Sequence, residues 1–190
     1  PISAQEVLGV IQQTQEPFLN YAMTTILRGH SFLPLYINPK YMNAARWSQL
    51  GDLLKWAREN SDILQQSQPL LPQEWQSNLV PKFTNDAQMP RQPYGYAHWK
   101  SDEGLILLRN PWITVQHYHI SLDENTGLSE KARNLSAVSL YPQVRLYAKN
   151  IKFNDCLGVR LAPYETVVLR IAKNNKLKNV PDVKSCISQK

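Results

Sequence analysis

The chain has 190 residues, 43% of them hydrophobic and 19% charged, with a formal net charge of +6. That length can bury a proper core in one domain or two small ones, and the composition is that of a globular chain. No apolar run reaches membrane-spanning length, so no membrane partner is expected. The charge excess does not point to nucleic acid either: residues 173–190 hold five lysines against Asp182, a net of +4, which leaves +2 for everything before them. This is a basic tail, not a basic face interleaved with aromatics.

In chain order, Pro1-Ile2-Ser3 brings neither an initiator Met nor a basic-then-apolar secretion signal, so the chain is expected to come from something longer. Ser3-Ala4-Gln5-Glu6 has the form of a capping box, and Val7, Leu8, Val10 and Ile11 continue it at helical spacing. Pro17 suits the first turn of a second helix through Phe18, Tyr21, Ala22, Thr25 and Ile26, with Gly29 at its C-terminal cap. "SFLPLYINP" predicts a buried strand over Leu33–Ile37, with Pro34 suited to an edge or a strand start. Asn43 caps a long helix from Ala44 to about Asn60, with Met42 and Trp47 placed as a hydrophobic staple. Leu50, Leu53, Leu54 and Ala57 form its apolar face. Helix, strand, helix is the order of a piece of an α/β barrel.

Residues 65–93 turn Gln- and Pro-rich and read as a connector, with a helical turn near Gln73 to Ser77. From Tyr94 onward the pattern is β. Strands are predicted at Tyr94–Lys100, Gly104–Arg109, Thr114–Leu122, Ala137–Tyr141, Val144–Ala148, Leu157–Leu161 and Thr166–Ala172, separated by turn signals. Seven short strands so spaced predict an antiparallel sandwich.

Few residues offer chemistry. His117 and His119 share one side of a strand, while Gln116, Tyr118, Ile120 and Leu122 take the more apolar side. With no third ligand nearby the pair predicts no metal site. Asp102 and Glu103 stand in a hairpin turn and point apart, so they cannot flank one scissile bond. Cys156 and Cys186 fit no metal or redox spacing, and the sequon Asn134-Leu135-Ser136 matters only in a glycosylating pathway. If Leu33–Ile37 is a barrel strand, Arg28 and His30 lie at its stabilising end. Tyr36, Asn38, Lys40 and Tyr41 then lie toward the active-site end, so Tyr36 and Asn38 are candidate sugar-facing groups. Tyr94, Tyr96, Trp99 and Trp112 are candidate stacking platforms, although alternation puts Tyr94 and Tyr96 on the opposite side of the strand from Trp99.

Two stretches carry a family resemblance. "GHSFLPLYINPKYMNAARWSQLGDLLKWARENSDIL" resembles the last barrel strand and helix of α-galactosidase-like glycoside hydrolases of the TIM-barrel type. "YGYAHWKSDEGLILLRNP" with "ITVQHYHISLDENTGL" resembles the start of the β-sandwich that follows such a barrel, and "LAPYETVVLRI" its closing strand. The resemblance implies an α+β organisation. Residues 1–64 would be the C-terminal portion of a (β/α)₈-type barrel, 65–93 a connector, 94–173 an antiparallel β-sandwich and 174–190 a Lys-rich tail. It also implies that the catalytic Asp nucleophile and Asp acid/base lie upstream of Pro1, since Asp52 and Asp62 fall on the predicted last helix. No catalytic residue is carried over, and no cofactor is implied.

One strand and about three helices cannot close a barrel. Their apolar faces must meet the upstream part of the same enzyme, meet a second copy, or pack onto the sandwich. The expected function is the C-terminal region of a carbohydrate-active enzyme, not catalytic alone, in a secreted or periplasmic setting. The alternative is a noncatalytic carbohydrate-binding module that uses exposed aromatics such as Trp99 and Trp112.

Overall fold

A computed structural model describes residues 8–11, 17–28, 33–72, 92–173 and 177. Its first element corrects the sequence reading: Leu8–Val10 is a strand, β1, not helix. Leu8 and Val10 are buried and Gly9 between them is less so, a period of two. An apolar run this short, with β-branched Val10 and Ile11, fits either periodicity, and tertiary pairing decides it. The capping box Ser3–Glu6 lies outside the described residues.

Helix α1 spans Phe18–Ile26 after Pro17, and strand β2 spans Leu35–Ile37. The two strands pair in parallel, Leu8 opposite Leu35 and Val10 opposite Ile37, so α1 is the crossover of a strand–helix–strand unit. Gly29, expected to cap α1, lies outside the described residues. β2 begins after Pro34, whose carbonyl accepts the Leu8 N–H at 3.1 Å. It is not the buried strand expected: Leu35 is 44% and Tyr36 63% exposed. Among the described residues β1 is its one partner strand.

After a 3₁₀ turn at Pro39–Tyr41 comes α2, Ala44–Glu59, with the Asn43 side chain accepting the Arg46 N–H at 2.9 Å. Leu50, Leu53 and Trp56 bury its inner face, with Leu54 and Ala57 partly covered, while Trp47 of the expected staple is exposed. A short α3, Ser61–Leu64, follows and carries Asp62, which the sequence had placed on the preceding helix.

Eight strands follow: β3 Gln68–Leu70, β4 Tyr94–Lys100, β5 Glu103–Arg109, β6 Gln116–Leu122, β7 Leu135–Tyr141, β8 Arg145–Ile151, β9 Asp155–Leu161 and β10 Thr166–Lys173. Seven are those read from the sequence, and β3 is an additional strand inside the Gln- and Pro-rich segment. The predicted turn at Gln73–Ser77 lies outside the described residues. Six strands form one antiparallel sheet in the order β3-β4-β5-β10-β7-β8, and β6 pairs with β9 in a second.

The central strands of the six-stranded sheet, β5 and β10, are buried on both faces. Ile106 and Leu108 of β5, with Val167, Leu169 and Ile171 of β10, share a core with Tyr118, Ile120, Leu157 and Val159 of the β6–β9 sheet. Leu105, Leu107, Leu140 and Val168 face the other way, onto Leu50, Leu53 and Trp56 of α2, Ala22, Met23 and Ile26 of α1, and Leu8. The apolar helix faces are therefore covered by the sheet. The run Leu105–Leu108 lacks polar alternation because both of its sides are core.

Deleting a buried leucine costs about 2–5 kcal/mol. Leu107→Ala should fall in that range in urea unfolding, whereas exposed Leu146→Ala should change stability by about 0.5 kcal/mol or less. Equal losses would contradict a central strand buried on both faces.

Candidate functional site

A crossover helix runs antiparallel to the strands it joins, so the first turn of α1 lies at the C-terminal ends of β1 and β2. Several polar groups meet at this end. Asn38, just past β2, donates its N–H to the Val10 carbonyl at 2.9 Å, and its Oδ1 accepts the Lys40 N–H at 3.0 Å. Its side chain thereby caps the 3₁₀ turn. Tyr36 pairs with Gly9 and alternates away from Ile37, which packs on the helix-side core, so its ring faces solvent. Buried Asn20, in the first turn of α1, accepts the Tyr141 hydroxyl at 2.7 Å and donates to the Tyr164 carbonyl at 3.3 Å. Burial, with the Glu165 carboxylate nearby, pushes the Tyr141 hydroxyl up, so it stays a donor at ordinary pH.

Asn110 organises the neighbouring loops. Fully buried, it donates from Nδ2 to the carbonyls of Thr114 at 2.7 Å and Ala162 at 2.8 Å, and its Oδ1 accepts the Trp112 N–H at 3.0 Å and Gln116 Nε2 at 2.8 Å. Trp112, half-buried, accepts the Tyr164 N–H through its carbonyl at 3.1 Å.

Trp99 is elsewhere. It is 6% exposed in the core between the two antiparallel sheets, its indole lying over its cross-strand partner Gly104, where a Cβ would meet the ring at 2.5 Å. An enclosed ring has no face for a sugar, so Trp99 is corrected from platform to core residue. It also lies across the six-stranded sheet from Tyr36, so the candidate residues do not form one surface. Tyr96 packs partly buried against the helix-side core.

The opposite end of α1 carries a second polar network. His98, fully buried on β4, places Nε2 2.6 Å from the Leu27 carbonyl and Nδ1 3.1 Å from that of Gln66. Both partners are carbonyls, so the neutral ring, with its single N–H, can donate to only one of them. Burial pushes His98 below its ordinary value, against the two carbonyls, which favour the charged form. Arg170, 8% exposed on β10, pairs with Glu103 and donates to Asn60 Oδ1 at 2.9 Å, tying the end of α2 to the sheet. A polar cleft of about 370 Å³ between them is spanned by an exposed Lys100–Asp62 pair at 2.5 Å, which holds the Asp62 carboxyl below the usual range. Asp102 pairs with Lys173 at 2.7 Å. Asp102 and Glu103 thus engage separate cations and join separate contacts. These charges are spent on one another, and the cleft reads as an inter-layer seam.

His117 and His119 both face solvent on β6, with His119 Nδ1 3.9 Å from Cys156 Sγ. Among the described residues no three His, Cys, Asp or Glu side chains converge as metal ligands, and no helix is long and apolar enough to cross a membrane. Cys186 and His30 lie outside the described residues. Sequence reasoning missed Asn20, Asn110 and Tyr164; Asn110-Pro111 was visible only as a turn.

The His98 shift makes a pH prediction. A base whose folded pKa is depressed adds stability above its unfolded pKa, 6.5 here, and loses it as pH falls toward the folded value. The thermal midpoint should therefore drop as pH is lowered from 7 to 5. His98→Gln should cost about 1–3 kcal/mol at pH 7 and flatten that profile. An unchanged slope in the variant would assign the effect to other groups.

No family model matches the sequence, and no curated protein does. Solved structures do. The chain is similar to a GH27 β-L-arabinopyranosidase from Geobacillus stearothermophilus, at 11% identity and a TM-score of 0.51 over 90% of this chain and 36% of that one. It is similar to α-galactosidase I from Mortierella vinacea, at 8% identity and a TM-score of 0.51 over 86% and 38%. A noncanonic maltogenic α-amylase, AmyB from Thermotoga neapolitana, matches at 10% identity and a TM-score of 0.53 over 87% and 40%. The chain spans between 36% and 40% of the length of these three enzymes. At such identities the likeness is one of fold: an α+β arrangement consistent with the C-terminal part of glycoside hydrolases.

Proposed function

We propose that this chain is the C-terminal region of an α-galactosidase-like glycoside hydrolase, structural and not catalytic on its own. The observation that carries the reading is the open side of the β1–β2 pair. Parallel strands occur almost only with both faces covered. Here Leu8, Val10 and Ile37 pack into the helix-side core, while Tyr36 on β2 and Ile11 just past β1 alternate to the other face and stand exposed. Further parallel strands added to this pair would bury those side chains. The partner that fits is the upstream part of the same enzyme, whose strand ends would carry the catalytic Asp residues, with self-association as the other way to cover the face. Tyr36 and Asn38, at or near the C-terminal end of β2, would then belong to the substrate side.

The structural likeness extends to both a galactosidase and an amylase, so the α-galactoside assignment rests on the sequence resemblance and needs an assay. The 190-residue chain alone should not turn over p-nitrophenyl α-galactoside, and co-expression with the region encoded upstream of Pro1 should restore turnover. Tyr36→Ala in the assembled enzyme should lower kcat/KM roughly tenfold, or about 1.4 kcal/mol. Turnover by the chain alone would sink the proposal that it is noncatalytic. Hydrolysis of maltooligosaccharides and not galactosides by the assembled enzyme would move the substrate class.

A further inference from the structure

Tyr164 has a backbone φ of +56°. Among the described residues the other non-glycine positions at positive φ are serine or asparagine, whose short polar side chains suit that region far better than a tyrosine. The residue sits third in the turn Ala162-Pro163-Tyr164-Glu165, closed by the Glu165 N–H on the Ala162 carbonyl at 3.1 Å. Proline second and positive φ third is the pattern that ordinarily takes glycine third.

The surroundings hold this strained position firmly. The Tyr164 N–H is fixed on the Trp112 carbonyl at 3.1 Å and its carbonyl on Asn20 Nδ2 at 3.3 Å, while Tyr141 holds Asn20. Fully buried Asn110 braces both loops through the carbonyls of Thr114 and Ala162. Yet the residue so braced is 49% exposed, so its ring is not needed to fill the core. Backbone strain that persists under an over-determined frame marks a presented contact.

We propose that Tyr164 is an aromatic platform for a pyranose ring of a polysaccharide, presented at the same end of the molecule as the C-terminal ends of β1 and β2. A phenol combines a flat apolar face with a polar tip, which complements the C–H face and hydroxyl edge of a pyranose. Trp112, on the adjoining hydrogen-bonded loop, fixes the backbone beneath it. The glycan class rests on the proposed reading of the chain as part of a glycoside hydrolase; the platform itself rests on the turn geometry.

The turn supplies its own control, because glycine at position 164 relieves the positive φ instead of disturbing it. The 190-residue chain is run through native gels containing galactomannan, unsubstituted β-mannan or soluble starch, beside a polysaccharide-free gel. Wild type and Tyr164→Phe should be retarded in at least one. Tyr164→Gly and Tyr164→Asn should migrate as in the free gel, with thermal midpoints equal to or above wild type. Retardation by galactomannan but not by unsubstituted β-mannan identifies α-galactosyl recognition, retardation by both identifies mannosyl recognition, and retardation by starch identifies α-glucosyl recognition. Wild-type mobility unchanged in every polysaccharide gel, or Tyr164→Gly retarded like wild type, overturns the platform. If Tyr164 variants alter only the oligomeric state, the residue is a protein contact and the proposal fails. Turnover of aryl α-galactosides by the chain alone would instead overturn the noncatalytic reading and leave the platform standing.

Discussion

Burial of β5 and β10, the central strands of the six-stranded sheet, on both faces is the constraint from which the other features follow. β5 and β10 send alternate side chains into two separate cores, so each layer is held by the same strands. Hydrophobic burial of this kind is strong but non-directional. It would let the helix layer slide over Leu105, Leu107 and Val168. Directional groups on the same face prevent this: His98 reaches the end of α1, and Arg170 reaches the end of α2 through Asn60. Because these groups are buried, removing a partner costs more than the bond itself is worth. Adhesion and register are thus supplied by different residues on one sheet face.

The polar groups separate by end. At the C-terminal end of α1 the partners close on one another: His98 on two carbonyls, Glu103 on Arg170, Asp62 on Lys100. At its N-terminal end Asn20 and Asn110 satisfy backbone groups of loops, and those loops then display Tyr164, Ile113 and Val115 to solvent. The first arrangement uses up its chemistry in holding layers together. The second spends buried amides on fixing the geometry of residues that face solvent, which is what a binding surface requires and a core does not.

Much of the strand order was legible in the sequence because turn residues punctuate it: the Ser101–Glu103 turn, Asn110-Pro111 and Pro163 bound strands β4, β5, β6 and β10. β1 was not legible, since Leu8 and Val10 fit a helical face as well as a strand and only pairing with β2 decides between them. Nor was the exposure of Leu35 and Tyr36, because an apolar run reports preference for burial and not whether a neighbour is present. Trp99 illustrates the same gap. Its place on the strand was read correctly, but which side of the sheet was closed depended on β6 and β9. Asn110 and Tyr164 lay further out of reach, since their roles depend on loop-to-loop hydrogen bonds and on a backbone angle that sequence pattern does not encode.

The β1–β2 pair shows how far a partial α/β unit can be stabilised within this chain. On the far edge of β1 the Gly9 N–H would lack a strand partner, and the Tyr21 hydroxyl accepts it at 3.2 Å. That bond contributes only about 1 kcal/mol and is local to one residue. A strand arriving at this edge would replace one side-chain contact with a ladder, so Tyr21 protects the edge without sealing it. On β2 the Tyr36 side chain stands exposed, and that face remains the stronger demand for cover. Stability and an exposed strand pair are therefore compatible here: the sheet secures the helices from one side, and the parallel pair leaves its other face exposed.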